Sequence, residues 1–202
     1  VVFTDDIETD AKRRDFKCNA VYYEIARGEF VDPLGGIRDI RDKIISTTRE
    51  ADEVFSEDGL RLMRLARQAA QLGFTPDFPT LFGAKFNAAL IGKISVERIF
   101  SELMLILHAD EKYGIPYAQY NGLKVLQSTD VLRYILPELA LGDGMPQRAD
   151  FHDHDVLEHT LRTVKYADRR IRLAALLHDV GKPYCYRNFG NYHRHEIEGA
   201  RI

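Results

Sequence analysis

One stretch, Phe55 to Phe74 (FSEDGLRLMRLARQAAQLGF), sets the strongest limit on how this chain folds. Leu62, Met63, Ala66, Ala69 and Ala70 recur at helical spacing and form an apolar face that must be buried against other elements. Glu57, Arg61, Arg64, Gln68 and Gln71 fall on the other side as a polar stripe. Ser56 is a favoured N-cap, Glu57 and Asp58 suit the positive first turn, and Gly73 suits the C-terminal stop. Asp58 and Arg61 lie three residues apart, so a carboxylate and a guanidinium are expected side by side near the helix start. Acceptors beside planar donors are what reading a nucleobase edge requires. A solvated ion pair on an amphipathic helix accounts for the same spacing.

The totals bound the classes open to such a chain. Its 202 residues hold one or two domains with a sizeable core. Hydrophobic residues at 45% and charged residues at 29% describe a globular rather than a disordered chain. A net charge of −3 excludes a polycation, so any nucleic-acid binding must come from local basic patches. Cys18 and Cys185 are too few for a disulfide scaffold and are not spaced as a metal knuckle, which fits a reducing, cytoplasmic setting. No apolar run approaches a membrane span, and no membrane partner is expected. The chain begins at Val1 without Met and stops at Ile202 inside an apparent helix, so it reads as a piece of something longer.

Taken in order, Val1–Thr4 is expected to be a strand. Cys18–Glu24 and Glu29–Val31 are expected to pair as a hairpin across Ala26-Arg27-Gly28. Asp32 to Gly36 reads as a loop and Ile37–Lys43 as a short helix. Beyond the central helix the pattern is almost wholly helical, with elements expected over Thr80–Leu90, Ser95–His108 and Leu123–Leu136, the last ended by Pro137. Leu141 to Pro146 is the best linker. Val156–Asp168 and Arg170–Val180 read as two more helices, the second closed by Gly181 and Pro183.

Three groups of residues carry chemistry. Arg13 and Arg14, followed by Asp15, place adjacent guanidiniums where they can meet triphosphate oxygens, or simply form a solvated basic pair. Asp32 with Gly35 and Gly36 is either a flexible joint or a plain turn. Six of the seven histidines fall in the last 51 residues: His152, His154, His159, His178 beside Asp179, His193 and His195. A His-Asp doublet at a helix end can put two ligands on one metal, while packing and hydrogen bonding are the bland use of the same residues. His108, outside this group, reads as an ordinary helix residue.

The segments RRDFKCNA, VDPLGGIRDI, FSEDGLRLMRLARQAAQLGF and ISVERIFSEL resemble, in order and spacing, those of class II tRNA nucleotidyltransferases, the family of CCA-adding enzymes and bacterial poly(A) polymerases. The resemblance implies that Arg13, Arg14 and Asp15 bind the incoming nucleotide and its sugar. It implies that Asp58 and Arg61 act as a protein template for CTP and ATP, with Arg64 joining the nucleotide set. Asp32 to Asp39 would form the junction between head and neck, and Glu97 and Arg98 would brace the template helix. Lys17-Cys18 and Gly59 depart from the usual Thr-Ile and Pro. The family's DxD pair, which holds two Mg²⁺ ions, is expected before Val1, so this piece alone should be inactive in transfer. His159, His178-Asp179 and His195 resemble the divalent-metal ligands of an HD phosphohydrolase domain, with a further Asp expected beyond Ile202.

The chain is thus expected to be mostly α-helical, in three parts. Residues 1–36 are the end of a nucleotidyltransferase β-sheet head with a short hairpin, 37–145 a helical, RNA-binding neck, and 146–202 an HD-type helical domain. The resemblance implies template-independent addition of CCA, or of A alone, to the 3′ end of tRNA or another RNA. A metal-dependent HD phosphohydrolase or phosphodiesterase, and a non-catalytic RNA-binding piece, are the alternatives.

Overall fold

The computed structural model describes residues 6–147 and 154–202. The strand expected over Val1–Thr4, and His152, lie outside the described residues. Helix α1 (Ile7–Arg13) opens the chain, in a charged run whose periodicity did not signal it. Asp6 caps it by accepting from the Glu8 and Thr9 N–H groups, and its charges run from Glu8 and Asp10 to Lys12 and Arg13, with the helix dipole. Strands β1 (Tyr22–Glu24) and β2 (Glu29–Val31) pair antiparallel as expected, with Gly28 at φ 70° in the turn. Cys18 belongs instead to a 3-10 turn over Lys17–Asn19.

The Asp32–Gly36 loop is pinned rather than loose. The Asp32 carboxylate accepts from Gly36 N at 2.7 Å and Ile37 N at 2.9 Å, fixing the start of α2 (Gly36–Asp42). A Cβ on Gly36 would stand 2.1 Å from the Lys17 carbonyl, so only glycine fits this approach. A two-residue parallel ladder joins β3 (Ile44–Ile45) to β4 (Thr75–Pro76), the strand that follows the central helix.

The central stretch is two helices, α3 (Ala51–Glu57) and α4 (Leu60–Leu72), where the sequence suggested one start at Ser56. Ser56 lies inside α3, and its hydroxyl donates to Glu53 O. The chain extends at Asp58 (φ −150°), whose carboxylate accepts from Leu60 N at 3.0 Å and so does the capping expected of Ser56. Gly59 follows the break and leaves room for the Leu90 carbonyl, which a Cβ would approach to 2.8 Å. At the other end Gly73 (φ 66°) closes α4 as expected, its N–H reaching Ala69 O and Ala70 O.

Helix α5 (Phe78–Phe86) starts earlier and ends sooner than expected, capped by Asp77 and followed by a 3-10 segment over Ala88–Lys93. Helix α6 (Val96–Leu107) matches its expectation, although Ser95 at the cap position makes no side-chain cap bond. Short α7 (Asp110–Tyr113) leads to α8 (Ala118–Ser128), α9 (Leu132–Ile135) and α10 (Pro137–Ala140). The single helix expected over Leu123–Leu136 is broken at Asp130, which turns left-handed at φ 59°, and Pro137 starts a helix rather than ending one. Helix α11 (Val156–Tyr166) is capped by Asp155, and α12 (Arg172–Leu177), α13 (Lys182–Phe189) and α14 (His195–Gly199) complete the chain. Gly181 and Pro183 begin α13 rather than closing the preceding helix.

The apolar face of α4 lies at the centre. Leu62, Met63, Leu65 and Ala66 are buried against α6 and α8, each leucine stabilising the fold by about 1.5–3 kcal/mol. Gly122 lets α8 approach closely, since a Cβ there would meet Ile106 Cγ2 at 2.7 Å and Ala70 Cβ at 3.1 Å. Leu157, Leu161, Val164 and Leu176 belong to the same continuous core. No helix among the described residues is long and apolar enough to cross a membrane.

Candidate nucleotide cleft and metal centre

The polar stripe of α4 faces the Arg13–Asp15 segment across a cleft of about 630 Å³. Arg13, Arg14, Arg61, Arg64, Arg67, Arg98 and Lys112 line it, against the carboxylates of Asp15 and Asp58, with Asn19, Gln68, Gln71 and Tyr113 among the remaining walls. Asp15 is buried, 4% exposed, and accepts from Arg64 Nε at 2.6 Å, Asn19 Nδ2 at 2.8 Å and Phe16 N at 3.0 Å. The same Asn19 amide reaches Gln68 Oε1 at 2.9 Å, which ties the Lys17–Asn19 turn to α4. Arg14 bonds Asp10 at 3.0 Å and Tyr22 at 3.2 Å. The Tyr22 hydroxyl and Arg14 hold the Asp10 carboxyl below its usual range.

Asp58 and Arg61 do not pair with one another in the way their spacing suggested. Asp58 lies 3.3 Å from Arg98 Nη2. Arg61 donates to Val54 O at 2.9 Å, Glu57 Oε2 at 2.8 Å and Arg13 O at 2.8 Å. The helix break is the cause: Glu57 ends α3 and turns back onto Arg61, while Asp58 points to α6. Arg49 and Arg61 together hold the Glu57 carboxyl below its usual range. Arg98 thus contacts Asp58 beside the start of α4, whereas Glu97 is exposed and is not among the residues lining the cleft. A nearer brace is Glu102, whose carboxylate takes Arg67 Nε at 2.6 Å while Arg67 also donates to Gln71. Arg67 went unremarked in the sequence, although it lies one turn beyond Arg64. Lys112 and Tyr113 carried no signal there at all.

The second group gathers at the α12–α13 turn. Asp179, 3% exposed, has His178 Nε2 at 3.1 Å and His159 Nε2 at 3.6 Å on its Oδ2. One ligand atom from each of these three residues lies within 4.8 Å of the others. His195 Nε2 faces the other carboxylate oxygen, Oδ1, at 3.2 Å, outside that group of three. Backbone carbonyls of Ala175 and Tyr192 lie 2.8 Å from Nδ1 of His178 and His195, which favours the tautomers that leave Nε2 free to ligate. Lys182, three residues past Asp179 in HDVGK, places Nζ 2.7 Å from Oδ2 and 2.8 Å from Gln147 Oε1. Oδ2 thus has the Lys182 ammonium and two imidazole nitrogens as its neighbours in a buried setting. Burial alone would raise Asp179, but His178 and Lys182 outweigh it and hold the carboxyl far below its usual range. Two imidazole nitrogens around a buried carboxylate oxygen are a donor set that fits a divalent ion. His154, half-buried at the edge of the described segment, lines an open cavity with His159 and Arg162; His193 lines a separate one beside His195.

Residues 1–46 match the family model of the "Poly A polymerase head domain", residues 73–141 that of the "Probable RNA and SrmB- binding site of polymerase A", and residues 156–202 that of the "HD domain". The chain is similar to the Multifunctional CCA protein of Xanthomonas campestris pv. campestris (strain B100), with 32% identity over 188 residues, 87% of this chain and 43% of that protein. It is also similar to the CCA-adding enzyme of Latilactobacillus sakei subsp. sakei (strain 23K), 39% identical over 140 residues, 69% of this chain and 33% of that one. Among solved structures, the Bacillus stearothermophilus CCA-adding enzyme in complex with CTP aligns over 100% of this chain and 44% of its own, with a TM-score of 0.64 and 28% identity. The chain therefore spans less than half the length of these relatives. Head, RNA-binding and HD segments in this order, with relatives at this identity, mean that the chain belongs to the class II family of CCA-adding enzymes.

Proposed function

We propose that this chain forms the end of the head (1–36), the neck (37–145) and the beginning of the HD domain (146–202) of a nucleotidyltransferase that adds CCA, or A, to a tRNA 3′ end from CTP and ATP. The observation that carries this reading is the cleft, in which seven cationic side chains outnumber two carboxylates beside a helix start. Arg13 and Arg14 meet triphosphate oxygens, a role the base does not alter. Asp58 and Arg61, held apart by Arg98 and Glu57, offer an acceptor and a donor to the base. Arg64 orients Asp15 toward its role near the sugar, and the α6 residues support α4. The Mg²⁺ ions of the transfer reaction would supply charge neutralisation at the α-phosphate. Binding of CTP, ATP, UTP and GTP to the full-length protein, with extension of a tRNA lacking its 3′ end, tests the reading. Nucleotide binding that excludes UTP, together with extension, supports it; RNA binding without nucleotide binding favours a non-catalytic RNA-binding protein.

A second reading rests on the buried Asp179 carboxylate grouped with two imidazoles. We infer that His159, His178 and Asp179 hold a divalent ion, with His195 ligating or orienting Asp179 from its other oxygen, and that this centre hydrolyses a phosphoester. A bound ion there would supply Lewis acidity and an activated water. Calorimetric titration with Mn²⁺, Co²⁺ or Ni²⁺ checks it: His178→Ala should abolish uptake. Unchanged uptake with only a lower melting temperature makes the doublet structural.

A further inference from the structure

Helix α11 carries His159 but is held from outside by α8. Glu158, the residue before His159, accepts from Tyr120 Oη at 2.8 Å, Lys124 Nζ at 3.1 Å and Arg162 Nε at 2.7 Å, and is only 18% exposed. Two of those three donors come from α8, across 38 and 34 residues of sequence. At the far end of α11, Gln119 donates to Lys165 O at 3.0 Å, and Lys165 Nζ sits over the rings of Tyr117 at 4.5 Å and Tyr120 at 5.2 Å. Residues 117–124, at and within α8, therefore hold α11 at both ends, which opposes a roll of the helix.

Roll is the motion that matters for a ligand on the adjacent position. With a helix radius of about 6 Å including side chains, a roll of roughly 10° displaces a side-chain atom by about 1 Å. Metal–ligand distances tolerate only about 0.2 Å. We propose that Tyr120 and Lys124, through Glu158, are positioning residues for His159, so that the neck sets the geometry of the metal centre in the HD domain. This rests on the metal reading of His159, His178 and Asp179 and extends it to residues outside the HD segment. The tie between Arg172 and Asp110 joins the same two parts of the molecule, with Nη1–Oδ1 and Nη2–Oδ2 at 2.7 Å, but it acts on the start of α12 and meets α11 only at its C-cap, where Arg172 Nε lies 3.4 Å from Ala167 O, away from His159.

That difference supplies the test. Mn²⁺ affinity and melting temperature are measured on the full-length protein, on Tyr120→Phe combined with Lys124→Met, and on Asp110→Asn. The double variant is expected to bind Mn²⁺ about tenfold more weakly, the scale of lost outer hydrogen bonds at metal sites. Asp110→Asn is expected to lower the melting temperature and leave Mn²⁺ affinity unchanged. Tyr120→Phe with Lys124→Arg should recover most of the lost affinity, because the guanidinium still reaches Glu158. Equal weakening by Asp110→Asn and the double variant would reduce the effect to general loosening and overturn the inference, as would unchanged affinity in the double variant. A wild-type protein that takes up no Mn²⁺ overturns the metal reading first, and this inference with it.

Discussion

Arg64 Nε lies 2.6 Å from Asp15 Oδ2, joining residues 49 apart in sequence through a carboxylate that is almost fully buried. That bond fixes the Arg13–Asp15 segment onto the polar face of α4, so the two halves of the cleft keep one spacing. Asp15→Ala leaves Phe16 N and the Asn19 amide short of an acceptor and Arg64 without its partner. The expected cost is about 1–3 kcal/mol in unfolding free energy, with weaker binding of every nucleotide. Urea denaturation alongside nucleotide titration checks both, and a stable variant with unaltered binding would show that Asp15 neither braces the cleft nor meets the ligand.

Arg61 is held at three points by Val54 O, Glu57 and Arg13 O, a rigid mount for a guanidinium that lines the cleft. In the full-length protein Arg61→Ala should erode CTP-over-UTP selectivity by about 1–3 kcal/mol, the worth of a bidentate base contact. Competition binding with all four nucleotides measures it. Equal losses for the four would assign Arg61 to holding Arg13 in place.

The Asp110–Arg172 pair makes a pH-dependent contribution to stability. Bonding to Arg172 holds the Asp110 carboxyl below its ordinary value of 3.8. A depressed folded value means the contribution is complete above about pH 3.8 and is lost as the pH falls below it. Thermal melts from pH 6 to pH 2.5 should show Asp110→Asn less stable than the wild type at the upper end, with the gap closing below pH 3.8. A gap that persists to the lowest pH would mean that shape, not charge, sets the contribution.

Gly181 holds α13 directly against α14. A Cβ there would lie 2.1 Å from His195 O and 2.6 Å from Gly199 N, both backbone atoms. Gly181→Ala must push α14 outward, at about 1–3 kcal/mol for overpacking, and should carry His195 away from Asp179. Calorimetry gives the stability loss, and a Co²⁺ titration reads the site. An unperturbed His195 in the variant's crystal structure would refute the expected displacement.

Much of this was legible because it is local. Helical spacing marked the buried face of α4, Gly73 its end, and Gly28 the hairpin, since each depends on a residue's own backbone preference. The ordering of the histidines with Asp179 carried the second site. What escaped depends on distant neighbours. Ser56 and Glu57 look like a helix start, yet the chain extends at Asp58 and α4 begins only at Leu60, with Gly59 packed on the distant Leu90 carbonyl. Arg61 and Asp58 are three apart, yet their partners come from residues 13, 54, 57 and 98. Asp130 adopts a left-handed turn that its composition permits but does not announce.

The core that runs without interruption from α4 through α8 to Leu157, Leu161, Val164 and Leu176 has a consequence for how the molecule comes apart. Elements that share buried side chains melt together, so the arginine cleft and the histidine cluster belong to one cooperative unit. Amide protons on α4 and α11 should exchange through the same global opening and show the same protection. Neither part should persist as a stable fragment without the other.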